Sequence, residues 1–154
     1  MSTIAEPACY VLFRKDKKLL FVLREHTGFM DGQYSLPAGR VEHGETYAQG
    51  AVREAFEEVG LAVKPADLRH MFTAHRWTDG QEPPSRVDVY FEALKWSGTP
   101  ANMEPERHSQ IAWLPEDDLP ENIMPYQRSA ILKIIAGETY EEHGWGIEKT
   151  RQKL

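Results

Sequence analysis

Between Gly39 and Leu61 the chain reads GRVEHGETYAQGAVREAFEEVGL. Thr46 is placed to cap a helix that runs through Val59, and Gly60 to end it in a left-handed conformation. Ala48, Val52, Ala55 and Val59 recur at spacings of 4, 3 and 4, which sets small apolar side chains along one stripe. Such a stripe lets a helix lie close against a flat partner, so the rest of the chain has to supply a sheet. Glu54, Glu57 and Glu58 share another face at i, i+3 and i+4.

Carboxylates near a helix C-terminus oppose the helix dipole and repel one another by roughly 0.2–0.5 kcal/mol per pair. A solvated acidic face is the commoner fate of this pattern. A divalent cation would reverse both effects, because hard cations such as Mg2+ take oxygen ligands and are shared between carboxylates and substrate phosphates. From these three residues alone, both readings stand.

Strands are legible around the helix. Tyr10 to Phe13 and Leu19 to Leu23 flank RKDKK and predict a hairpin. EHTGFMDGQY is a loop, and Val41 ends a brief strand. Arg69 to Trp77 is a strand. Val87, Val89, Phe91 and Ala93 alternate with Asp88, Tyr90, Glu92 and Leu94, the period of a half-buried strand. QIAWLP predicts a last strand, and Ala130, Ile131, Ile134 and Ile135 predict a helix over Tyr126 to Ala136. The polar tail from Gly137 is expected to be partly loose, with Trp145 either packing it down or contributing to an interface. Mixed strands with two helices predict an α/β or α+β sandwich. No repeat divides residues 1–154, which read as one domain with a core of about 8–136 and a tail of 137–154.

The 154 residues carry a net charge of -6, which argues against a nucleic acid polymer or an anionic membrane as partner. A small phosphorylated ligand is still allowed, since a metal or a few Arg can hold one. Cys9 is the one cysteine, so no intrachain disulfide forms, and its run ACYVLF reads as buried. No signal-peptide pattern and no apolar run of roughly 20 residues occurs, which predicts a cytoplasmic protein. The six His lack zinc-site spacings, and P-loop and dinucleotide-binding Gly motifs are absent.

The wider spacing separates the two readings of the glutamates. Gly39, five residues, Glu45, seven residues, then Arg53 to Leu61 resembles the Nudix box, G-x5-E-x7-R-E-U-x-E-E-x-G-U, where U is a bulky apolar residue. All seven fixed identities are present, and Ala55 is a smaller U than usual. The resemblance implies an α/β/α sandwich with a mixed sheet and a loop-helix-loop box. It implies hydrolysis of a nucleoside diphosphate linked to another group. Mg2+ (or Mn2+) would be held by Glu54, Glu57, Glu58 and the carbonyl of Ala38. Glu45 and Arg53 would be supports, with Arg53 holding a box Glu, and Gly39 and Gly60 would serve backbone turns. The general base would come from the cluster or from Glu104 in the loop NMEPER, with Glu106 a weaker alternative.

Arg24 lies fifteen positions before Gly39, as a phosphate-contacting Arg does in the MutT-like branch. Arg40 and Arg86 are less specific. Phe29 and Tyr34 are the candidates to stack a base, before Phe72 and Trp77. That branch cleaves nucleoside triphosphates to the monophosphate and pyrophosphate. ADP-ribose, nucleotide sugars and dinucleoside polyphosphates are alternative substrates. A non-catalytic nucleotide-binding module is an alternative of another kind. Many relatives are homodimers, so a homodimer is expected.

Overall fold

A computed structural model describes residues 1–146. The elements follow as β1 (Ala5–Leu12), β2 (Arg14–Lys15), β3 (Lys18–Arg24), β4 (Tyr34–Ser35), β5 (Ala38–Arg40), α1 (Tyr47–Val59), a 3-10 turn (Pro65–Asp67), β6 (Leu68–Trp77), β7 (Ser85–Ala93), β8 (His108–Pro115), α2 (Pro125–Ile135) and β9 (Tyr140–His143).

The all-apolar run after Pro7 is explained by its place between two layers. Cys9, Val11 and Phe13 join a core cluster with Leu20, Val22 and the α1 residues Ala51, Ala55 and Val59. Ala8, Tyr10 and Leu12 alternate into a second cluster with Phe72, Tyr90 and the α2 residues Ala130, Ile131 and Ile134. A strand covered on both faces has no polar side to show. The helices therefore sit on opposite faces, and the mixed α+β sandwich expected from the sequence is present.

One sheet has the order β5-β1-β7-β6-β9, with β1 parallel to β7 and β7 antiparallel to β6. The other joins β2, β3, β4 and β8 through β3. Here the predicted hairpin needs correction. The turn is real, with Asp16 and Lys17 both at positive φ between β2 and β3, as a two-residue hairpin turn requires. The strand before it is the short β2, however, and β1 belongs to the other sheet. The brief strand near Val41 ends one residue earlier, at Arg40.

Four further expectations are overturned in part. The stripe of α1 that meets the core is Gly50, Ala51, Ala55 and Val59, while Ala48 and Val52 are half-buried. Strand β7 keeps its period of two, but Asp88, Tyr90 and Glu92 form the more buried face. Asp88 is neutralised there by Arg76 Nε at 2.6 Å, and Glu92 accepts from Arg14 and Arg69. QIAWLP lies in β8, which is not the last strand. The tail is ordered into β9, which pairs parallel to β6. Residues 147–154 of the tail lie outside the described residues. Among the described residues no helix is long and apolar enough to cross a membrane.

Candidate active site

The acidic helix is fixed at both ends. Thr46 Oγ1 accepts the Gln49 N–H at 3.1 Å, and Gln49 Oε1 accepts the Thr46 N–H at 2.8 Å. This reciprocal box satisfies two donors of the first turn. At the other end Gly60 has φ 72, and its N–H donates to the Phe56 carbonyl. The last two carbonyls of the helix are taken by a loop. Met103 N–H donates to Glu58 O at 3.1 Å and Ala101 N–H to Val59 O at 3.0 Å. That docking brings Glu104 up to the end of the cluster, near enough for its charge to act on Glu58.

Arg53 organises the carboxylates. Its guanidinium donates to Glu45 Oε1 at 2.6 Å and Oε2 at 3.1 Å, to Glu54 Oε1 at 2.7 Å, to Glu57 Oε2 at 3.3 Å and to the Arg40 carbonyl at 3.0 Å. Glu45 in turn accepts the Glu42 N–H, and its carboxyl lies below the usual range because of Arg53 first and that N–H second. Gly39 is needed for space rather than for an unusual φ. A Cβ there would collide with the carboxyl of Glu54. The Cys9 Sγ–H donates to the Gly39 carbonyl at 3.4 Å, and burial pushes its thiol up to about 12, so it is an inert core residue.

Glu58 is 8% exposed and Glu57 is half exposed. Burial raises the Glu58 carboxyl well above the ordinary range, and the Glu54 charge adds to this. Glu54 is also raised, chiefly by burial, with Arg53 opposing. Two acids this close, one of them buried, oppose each other's ionisation. Ala38 N–H meets Glu58 Oε1 at 3.4 Å. In the pairing of β5 with β1, Val11 N–H reaches Pro37 O and Val41 N–H reaches Pro7 O. The alternation of an antiparallel ladder then turns both polar groups of Ala38 outward along the sheet edge.

These donors are all oxygen, as a hard divalent cation requires, and the Arg53 bonds go to Glu45, Glu54 and Glu57, not to the buried Glu58. Glu54, Glu58 and the Ala38 carbonyl fit such an ion. Among the described residues no three His, Cys, Asp or Glu side chains converge on one point, and Glu57 bonds to Arg53 at 3.3 Å.

Glu58, Ala38 and Gly39 open onto a cleft of about 410 Å3. Arg24 and Phe29 line it, with Arg24 Nε donating to the Phe29 carbonyl at 2.9 Å and its guanidinium 5.7 Å from the ring centre. Tyr34 does not line it. It packs edge-on against Phe21 and accepts from Gln110, because the register of β3 with β4 turns it to the β8 side. Phe72 is in the core, and Trp77 packs against Trp145. Arg40 and Arg86 do line the cleft, and both pair with Glu6.

Sequence reading missed Arg76, Tyr126 and His108. Arg76 Cζ lies 3.8 Å from the centre of the Tyr126 ring, and both line the cleft. The available signal was parity, since Phe72, Ala74 and Arg76 share one strand face and a lone charge at core parity needs a reason. His108 is almost fully buried in the wall with Nδ1 unpartnered.

A family model for the NUDIX domain matches residues 5–134. The chain belongs to the Nudix hydrolase family. NAD-capped RNA hydrolase NudC from Shigella flexneri is 35% identical over 114 residues, 74% of this chain and 40% of its own length. The K12 Escherichia coli NudC is 34% identical over the same shares. This Nudix chain thus spans 40% of the length of the curated relatives it matches. The MutT NUDIX hydrolase of Burkholderia pseudomallei superposes with a TM-score of 0.74 at 26% identity, over 84% of this chain and 97% of that one. The E. coli ORF135 protein has the same fold, with a TM-score of 0.72 at 18% identity over 87% and 91%. Nudix hydrolases generally use divalent cations.

Proposed function

We propose that the protein hydrolyses the pyrophosphate linkage of a nucleoside diphosphate derivative, with Mg2+ (or Mn2+) held by Glu54, Glu57, Glu58 and the Ala38 carbonyl. A nucleoside triphosphate, cleaved to the monophosphate and pyrophosphate, is the first substrate. One observation carries the reading: the buried Glu58, beside a Glu54 braced by Arg53, opens onto an arginine-lined cleft.

When bound, the cation supplies neutralisation of the pyrophosphate charge and activation of the attacking water. The chain does the rest. Arg53 holds Glu54 and Glu57 in place through charge-assisted bonds. One carboxylate of the cluster takes the proton of the attacking water, with Glu104 the alternative base. Arg24 offers its guanidinium to a phosphate oxygen, and Phe29 offers a face to the base. The buried thiol of Cys9 agrees with a reducing, cytoplasmic setting.

A dinucleotide of the NAD kind is the second reading, favoured by the likeness to NAD-capped RNA hydrolases. A panel of nucleoside triphosphates, NAD, ADP-ribose, nucleotide sugars and dinucleoside polyphosphates, assayed with Mg2+ or Mn2+, separates the substrates. No phosphate product from any of them would overturn catalysis and leave a nucleotide-binding module. Glu57→Gln abolishes turnover with the fold intact, and full activity in that variant refutes the mechanism.

A further inference from the structure

The described chain continues past the family match, which ends at residue 134, into β9. That strand runs beside β6, with His143 opposite Arg76. Just after it the ring of Trp145 packs against both His75 and Trp77, with centroids 4.7 Å and 5.0 Å away. Its Nε1–H donates to the His75 carbonyl at 3.0 Å. Gly144 permits the approach. It has φ 82, and a Cβ there would collide with the Trp77 carbonyl. The segment has a second anchor in Glu141, which accepts from Lys133 at 2.7 Å and from Ser129 at 3.0 Å, both on α2.

What the segment grips is the root of one cleft wall. Arg76, Thr78, Gln81 and Arg86 line the cleft and bond to one another. Arg76 Nη1 donates to Thr78 Oγ1 at 2.8 Å, and Arg86 Nη2 donates to Gln81 Oε1 at 3.1 Å. Thr78 N–H donates to Pro84 O at 2.9 Å, which closes the loop at its base. Trp77 therefore stands between Trp145 on one side and two wall residues, Arg76 and Thr78, in the chain.

We propose that Trp145 is a positioning residue. It fixes Trp77 and, through it, the wall made by Arg76, Thr78 and Gln81, so nucleotide binding depends on a segment outside the family domain. The inference rests on the cleft being the nucleotide site proposed above.

The test compares Trp145→Ala and Trp145→Phe at a temperature where circular dichroism shows both folded, with Trp145→Leu used if the Ala variant is not. Amide exchange is measured without substrate, and KM and kcat are measured on the substrate that the panel identifies. In Trp145→Ala the Thr78 and Gln81 amides exchange roughly tenfold faster, while Gly60 and Met103 at the end of α1 do not change. KM rises roughly tenfold with kcat within about twofold, and Trp145→Phe restores most of both effects. Unchanged exchange at Thr78 overturns the proposal, and so does faster exchange with an unmoved KM. If the wild type cleaves nothing in the panel, the reading of the cleft falls, and the exchange result alone decides whether Trp145 holds the loop.

Discussion

Arg53 reaches three glutamates and a backbone carbonyl with one planar group, and an ammonium cannot reproduce that fork. Arg53→Lys is expected to lower kcat/KM by about 100-fold while costing no more than about 1 kcal/mol of stability. Steady-state kinetics beside urea unfolding checks this. Gly39→Ala pushes a methyl into the Glu54 carboxyl and should weaken Mn2+ binding about tenfold, read by metal titration. His108 answers to pH. Burial first, and the Arg107 and Arg24 charges next, lower it to about 4. An unfolded His binds its proton near pH 6.5, so the unfolded chain is the better proton acceptor between pH 6.5 and 4. Stability from this residue is complete above pH 6.5 and is lost as pH falls towards 4, by about 2–3 kcal/mol. Urea unfolding against pH shows it, with His108→Asn as the reference curve that lacks this slope. A wild-type curve parallel to that of His108→Asn would refute the assignment.

At the scale of elements, legibility followed locality. The cap of Thr46, the end at Gly60 and the spacing of Glu54, Glu57 and Glu58 are set within a few residues of one another, and all stand where the sequence put them. Thr46→Ala removes the cap and should cost about 1 kcal/mol by chemical denaturation. What failed depends on distant partners. The predicted hairpin joined neighbours in sequence, but the chain changes sheets at Phe13, and nothing in RKDKK records that step. The tetrad YEEH has no apolar period, so β9 is visible only once the edge of β6 is there to receive it. In β7 the period was readable and the facing was not, since Asp88 is buried only because Arg76 arrives from the next strand.

Across the molecule, the buried Arg76–Asp88 pair ties β6 to β7 behind the cleft wall that Arg76 lines. Asp88→Asn leaves Arg76 buried without its counter-charge and should cost about 3–5 kcal/mol, seen as a lower Tm by calorimetry. The same long-range logic divides the site. Its acidic half lies on one helix and was legible from spacing. Its basic half is assembled from β3, β5, β6 and β7, so Arg76 escaped notice, and Tyr34, a candidate to stack a base, bonds to Gln110 outside the cleft lining. The docking of Ala101 and Met103 on the last carbonyls of α1 limits how such a chain can diversify. A lineage that lengthens that loop unfastens Glu104 from the carboxylates along with the end of the helix. New substrate preference is more safely acquired between Thr78 and Pro84, or beyond residue 134, where inserted residues leave the acidic half untouched.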